Sequence, residues 1–275
     1  MFGRGGRDRR AVERALDLMQ ERALFADRVG DWGRARAEVI EAVTDLDQLH
    51  LRLWQLARTA GGPHSGMRKA VPPAFGPPDL PTVEETDGAV VLTLPACTDR
   101  DAGPYVDAAR HALDEVQADR WIVDLRGNGG STMWPLLAAV APLLRGDGEI
   151  GAFVNRSGVR SPWVLAGGVV SAGGQPLAHG SVGHRDGPVA VLTDGATASA
   201  GEAVAVAFRG LADVRSYGTA TLGFSSGNET VPLPGGAVLA VTTSRFADRT
   251  GRVYGGRLEP DVPSEDPLSM ALWDT

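Results

Sequence analysis

The sequence predicts an α/β fold: a core of alternating strands and helices around a largely parallel sheet, with a small helical bundle ahead of it. Three observations lead there. Up to residue 62, apolar side chains recur at three- and four-residue steps, the period of a helix. From Gly88 onward, short β-branched runs alternate with helical stretches, the pattern of a parallel sheet with crossover helices. The 275 residues are 43% hydrophobic and 22% charged, an ordinary globular composition with enough apolar surface for a core.

In the first segment, Arg9 to Phe25 places Val12, Leu16, Met19 and Ala23 on one stripe. Gly30 interrupts the pattern, and Asp31 can cap a second helix carrying Ala35, Val39, Ile40 and Val43. Thr44 can cap a third, with Leu46, Leu49, Leu53, Leu56 and Ala57 inward and Gly61-Gly62 at its end. Residues 63–87 hold six prolines and read as a linker, since proline interrupts both helix and central strand. Then come a strand over Ala89–Leu94, a helix over Pro104–Asp119, a buried strand over Trp121–Leu125 and a helix over Thr132–Leu144. A strand over Ile150–Val154 leads into residues 155–187, a glycine-rich surface excursion. A strand over Pro188–Thr193 runs into a helix opening at Ser199, and Val214–Tyr217, Thr230–Leu233 and Ala237–Thr243 follow as strands. The organisation is therefore a bundle (1–62), a proline-rich linker (63–87), an α/β core (88–266) and a tail (267–275).

Composition excludes several function classes. A net charge of -7 leaves no basic surplus to neutralise phosphates, so nucleic acid is not an expected partner. The single cysteine, Cys97, allows neither an internal disulfide nor a cysteine-rich metal site. No apolar run is long enough to span a membrane, and the basic N-terminus lacks the apolar stretch of a signal peptide. A cytoplasmic protein without metal or cofactor is the expectation.

Two stretches carry chemistry. In Gly187–Phe208 a serine stands at a sharp strand-to-helix turn. Ser199 can be an N-cap, its oxygen accepting from the first turn of the helix. Most serines so placed are caps, but it can also be a nucleophile whose developing charge faces the helix N-terminus. In Arg126-Gly127-Asn128-Gly129-Gly130, glycines follow a buried strand. The run lacks both GxGxxG and the Walker lysine, which weakens a nucleotide loop. It can aim backbone N–H groups at an oxyanion, or simply turn the chain. His64 lies in a loop and has the side chain best suited to take a proton near neutral pH. Trp134 and Trp163 read equally as pocket walls or core.

Taken in order, a helical bundle, His64-Ser65, DLRGNGG, DGATASAGE, GTATLGFSSGN, LPGGAVLAVTT and EPDV resemble the C-terminal processing, or tail-specific, peptidases, and in particular the branch related to the tricorn core. The resemblance covers about residues 44–263. It implies a spiral core of the Clp protease and crotonase type and a serine peptidase, or a related acyl-transfer hydrolase, that needs no metal. By this resemblance Ser199 matches the nucleophile of a Ser-Ala-Xaa-Glu motif. Ala200, with Gly129 or Gly130, matches the oxyanion hole, and Glu202 is placed to orient polar neighbours. The tail-specific branch draws its base from a lysine in Thr-Xaa-Gly-Lys-Gly; here Phe224 stands in that place, and the chain's one lysine, Lys69, is remote in sequence. The tricorn-like branch uses a histidine after the bundle, which makes His64 the general base, with His184 in reserve. Its orienting residue is not matched: Pro63 precedes the histidine, and counting back from Asp261 gives Tyr254, so Tyr254 or Glu202 is the candidate.

About 25 residues separate His64 from the first core strand, too few for the substrate-binding PDZ domain that such peptidases often carry. The resemblance makes a peptide or protein the substrate and leaves assembly into a homo-oligomer open. The alternative is a non-catalytic relative that binds a ligand or peptide, as retinoid-binding proteins do with the same core.

Overall fold

The computed structural model describes residues 4–69, 79–98, 101–180 and 183–274. Two compact units emerge, both discontinuous in sequence: 1–76, 154–159 and 226–244 make the first; 77–153, 160–225 and 245–275 make the second. The sequence-based boundaries at 62, 87 and 266 follow the chain; the compact units interleave instead.

The first unit contains α1 (Arg4–Arg22), α2 (Trp32–Glu41), α3 (Leu46–Gly61), β1 (Gly66–Lys69), β11 (Ser226–Pro232) and most of β12 (Ala237–Ala247). Val12, Leu16 and Met19 of α1 and Leu49 and Leu53 of α3 are fully buried, and they share a core with Val231, Leu239 and Val241 of the two strands. The expected stripe on α1 is thus the packed face. Asp31 caps α2, its side chain accepting from Arg34 N–H at 3.0 Å. The cap of α3 is Asp45, not Thr44: the Asp45 carboxylate accepts from Asp47 and Gln48 N–H, both at 3.1 Å, while Thr44 belongs to a preceding 3-10 turn. A carboxylate at this position also complements the helix dipole.

The proline-rich segment is not wholly irregular. β1 pairs antiparallel with β12, and β2 (Thr82–Thr86) pairs antiparallel with β3 (Ala89–Thr93). Both strands fit between the prolines, at 63, 72, 73, 77, 78 and 81, and so keep their N–H groups. Residues 70–78 of the expected linker lie outside the described residues.

In the second unit one sheet runs in the order β13-β10-β9-β4-β3-β2, where β4 is Trp121–Asp124, β9 Val189–Thr193, β10 Val214–Gly218 and β13 Val262–Pro263. Every pairing is parallel except that of the edge strand β2. Val90, Leu92, Val123, Val189 and Val191 face α4 (Ala102–Asp114), α5 (Trp134–Ala139) and α6 (Ala200–Phe208) in one core. The other face carries Val91, Ile122 and Leu192 and is covered by Leu268, Ala271 and Leu272 of α7 (Pro267–Trp273). The expected tail is therefore a helix, opened by Pro267 after its Asp266 cap.

Three further elements differ from expectation. α4 stops at Asp114, and Arg185 donates to the Leu113 carbonyl that the helix end frees and to the Asp114 carboxylate, each at 3.0 Å. The helix expected over Thr132–Leu144 is six residues of α5 followed by a 3-10 turn over Ala141–Leu143, since Pro142 has no N–H to continue it. The glycine-rich excursion is ordered. After β5 (Gly148–Asn155) come β6 (Arg160–Ala166), β7 (Val169–Ala172) and β8 (Gln175–His179), an antiparallel meander. Its hairpins turn on Gly167-Gly168 and Gly173-Gly174, all four at positive φ, the signature of two-residue type I′ turns. Trp163 of β6 is fully buried, edge-on to Phe153, Trp134 and Phe246, so it belongs to the core rather than to a pocket wall.

The cap assignment gives a direct prediction. Asp45→Ala should lower stability by about 1 kcal/mol in urea unfolding, whereas Thr44→Ala should stay within about 0.5 kcal/mol of wild type. Equal losses would contradict Asp45 as the cap.

Candidate active site

β4 and β9 are neighbouring parallel strands, with Asp124 opposite Leu192. Their C-terminal ends therefore release two turns side by side, where α/β sheets place their ligands. The turn after β4 holds the glycine run; the turn after β9 leads to Ser199. Buried Asn128 joins them. Its carbonyl accepts Ala198 N–H at 2.8 Å, its Nδ2 donates to Leu94 O at 2.8 Å, and its Oδ1 accepts Gly130 N–H at 3.0 Å. The Asp194 carboxylate accepts from the N–H groups of Gly127 (3.1 Å), Ala196 (3.0 Å) and Thr197 (2.8 Å). Burial works to raise this carboxyl, but these donors win and hold it below the usual carboxylate range. Thr197 Oγ1 donates across to Leu125 O at 2.8 Å. Sequence reading missed Asn128, Asp194 and Thr197 as ties; the Asp194-Gly195 turn signal was visible, but the donor that links the two turns, Gly127 N–H, lies 67 residues away.

Ser199 occupies the N-cap of α6 with φ 50° and ψ -103°, a left-handed backbone that side-chain-bearing residues seldom adopt. Its N–H donates to Glu202 Oε2 at 2.8 Å, and its carbonyl accepts Ala203 N–H at 2.9 Å. Ser199 thus has the cap position and the strained geometry of a nucleophile turn at once. Ala200, the first helical residue, has no intrahelical acceptor for its N–H. Among the described residues, Gly129 N–H has no backbone acceptor either. Gly130 differs from expectation as an oxyanion donor, because its N–H is committed to Asn128 Oδ1. Its contribution is space: a Cβ there would lie 2.8 Å from Ser199 Cβ and 3.1 Å from Ala198 O.

Glu202 is fully buried. Besides Ser199 N–H, its carboxylate accepts Thr221 Oγ1–H at 2.5 Å and Gly223 N–H at 3.0 Å. Burial pushes this carboxyl up, and the four donors, with Phe224 N–H the fourth, only partly offset the shift. The segment that would supply a lysine in other peptidases is thereby pinned to Glu202, with Phe224 in the lysine's place.

These residues all belong to the second unit. His64 belongs to the first, on the turn between α3 and β1. Its Nδ1 lies 2.8 Å from Ser226 Oγ, and Asn228 Nδ2 donates to its carbonyl at 3.2 Å. Next to it, Ser65 Oγ accepts Thr242 N–H at 2.9 Å. Burial pulls the imidazole down to about 4, so the ring is neutral at pH 7. The Tyr254 hydroxyl donates to Asp248 Oδ2 at 2.6 Å, while Ser226 Oγ lies at the His64 Nδ1. Glu202 is held by Ser199, Thr221, Gly223 and Phe224. Ser226 escaped sequence reading because it precedes the stretch recognised as a strand. His184, the reserve base, sits exposed beside Asp186 at 3.6 Å.

Parallel strands ending in two stapled turns, with a strained serine at a helix mouth, define a serine hydrolase of the α/β class. The chain belongs to peptidase family S41, whose model matches residues 89–264, and it is a serine peptidase. It is 29% identical over 279 residues to a nisin-resistance protein of Lactococcus lactis subsp. lactis, covering 95% of this chain and 85% of that protein. It is 33% identical over 162 residues to a carboxyl-terminal-processing protease of a Picosynechococcus species, covering 58% of this chain and 36% of that one. Among solved structures it resembles a lipoprotein from Streptococcus agalactiae, with a TM-score of 0.79 at 22% identity over 96% of this chain and 94% of that one. It also resembles the photosystem II D1 C-terminal processing protease, with a TM-score of 0.62 at 14% identity over 94% and 93%. Both structural likenesses are of fold.

Gly130→Ala should force the turn off Ser199 while leaving the strands intact. The expected result is a loss of about a hundredfold or more in the rate of labelling by a fluorophosphonate, comparable to losing an oxyanion contact. Unfolding should remain cooperative in a thermal melt. Labelling at the wild-type rate would contradict the close contact.

Proposed function

We propose that the peptidase works by acyl transfer through Ser199, with His64 as general base and the N–H groups of Gly129 and Ala200 as the oxyanion hole. The observation that carries this reading is Ser199 itself, held at φ 50° at the N-cap of α6, next in the chain to the free N–H of Ala200 and packed against the glycine run at Gly130. The neutral His64 supports it, because only an unprotonated imidazole can accept a proton.

In the proposed sequence, Ser199 Oγ attacks the peptide carbonyl carbon and its proton passes to His64 Nε2. The carbonyl electron pair moves to oxygen, where the Gly129 and Ala200 N–H groups and the N-terminal end of α6 stabilise it. The tetrahedral species collapses, the C–N bond breaks, and the amine leaves with the proton from Nε2. Water then gives a proton to Nε2 and its oxygen to the acyl carbon. The acid departs, and Ser199 recovers its proton. Peptides are the substrate class. The extended likeness to a protein named for nisin resistance makes nisin the first compound to assay.

A fluorophosphonate should label wild type at Ser199, seen by peptide mass mapping, and Ser199→Ala should take none. His64→Ala should slow labelling at least about a hundredfold, as for loss of a general base. Labelling of the Ser199→Ala chain at another serine would overturn the nucleophile, and an undiminished rate in His64→Ala would overturn the base.

The pH dependence follows from the buried ring. The base acts when neutral, so the labelling rate should be flat from pH 6 to 8 and fall as acid protonates the ring, with a midpoint of about 4. A midpoint near the ordinary histidine value of about 6.5 would contradict the burial of the ring, and an acid limb that survives unchanged in His64→Ala would show that another group titrates.

A further inference from the structure

We propose that Ser226 is the positioning residue for His64: its Oγ accepts a hydrogen bond from Nδ1–H and so holds the ring in the orientation and tautomer whose Nε2 can take a proton, given His64 as the general base.

The geometry is that of a two-point grip. Residues at i and i+2 of a strand point to the same face. On β11 these are Ser226, against the ring at 2.8 Å, and Asn228, whose amide donates to the His64 carbonyl at 3.2 Å. One strand therefore holds both the ring and the backbone of the same histidine. The neighbouring residue is tied independently: Ser65 Oγ donates to Thr242 Oγ1 at 3.0 Å and accepts Thr242 N–H at 2.9 Å on β12. Ser226 is buried, so bulk water does not compete freely for Nδ1.

A neutral imidazole carries one proton, on Nδ1 or on Nε2. With the proton on Nε2, that nitrogen is a donor and cannot serve as base. With the proton on Nδ1, Nε2 offers its lone pair. In serine peptidases an aspartate normally imposes this choice, and its replacement by a group that favours the wrong tautomer is severe. A serine hydroxyl can accept the same hydrogen bond without adding charge. Ser226 would then select the tautomer and the ring orientation while leaving the electrostatics of the imidazolium to the rest of the site.

The test uses the full chain with 15N-labelled histidine. Long-range proton–nitrogen correlation spectra at pH 7 report which His64 nitrogen is protonated, and the fluorophosphonate reports reactivity as separate kinact and KI. Wild type should show the Nδ1–H form. Ser226→Ala should shift the ring towards Nε2–H and lower kinact by about tenfold or more with KI unchanged. Ser226→Thr, which keeps the hydroxyl, should restore kinact to within a few-fold of wild type. An Nε2–H wild-type ring, or an unchanged kinact in Ser226→Ala, would overturn the inference. Failure of the base assignment looks different, because His64→Ala would then keep the wild-type rate whatever Ser226 does. If Ser226→Ala does not fold, the wild-type spectrum and the threonine variant still decide.

Discussion

The hydrogen bond from Ser199 N–H to the buried Glu202 carboxylate is the contact on which the mouth of α6 depends. A non-glycine residue at positive φ carries a cost of roughly 1–3 kcal/mol. A hydrogen bond to a charged acceptor returns a similar amount, about 1.5–3 kcal/mol. The two are therefore comparable, and the strained serine is tolerable because the carboxylate sits three residues on, at the N3 position of its own helix. The same carboxylate collects Thr221 and Gly223, so one acid fixes both the serine and the segment over 221–223. Burial raises the cost of its charge, and four donors partly answer it.

A second layer of constraint sits under the first. Ser199 is only as well placed as the turn that delivers it, and that turn is stapled to its neighbour by Asn128, Asp194 and Thr197. Parallel pairing of β4 with β9 fixes the register of the two strands, and the staples fix what lies beyond their ends. Preorganised donors reorient little during reaction, which is how such sites stabilise developing charge. The glycines divide this work. Among the described residues Gly129 N–H has no backbone acceptor, whereas Gly130 N–H is bound to Asn128 Oδ1 and the residue serves by having no side chain.

Much of the fold was legible in the sequence, for identifiable reasons. Periodicity placed α1 and the stripe of Val12, Leu16 and Met19, because a single buried face dictates spacing. The apolar runs at β4 and β9 were equally plain, since both strands are covered on both faces. The meander after β5 was overlooked because its strands are half-exposed, although the paired glycines at 167–168 and 173–174 are a hairpin signal. α7 was overlooked because it is short, and its evidence was only Asp266-Pro267. At the site, the resemblance drew attention to Ser199, Glu202 and the glycine run. It could not identify Ser226 as the partner of His64, because the two residues are 162 positions apart and a serine carries no local mark of its role. It also could not tell Gly129 from Gly130, a distinction made by where Asn128 Oδ1 points.

The most direct measurement is a crystal structure of the protein after reaction with a phosphonate. The account predicts phosphorus bonded to Ser199 Oγ, with one phosphoryl oxygen about 2.7–3.1 Å from the N–H groups of both Gly129 and Ala200. Ser199 should keep its positive φ and its bond to Glu202. An adduct on another residue, or a phosphoryl oxygen turned away from both N–H groups, would contradict it.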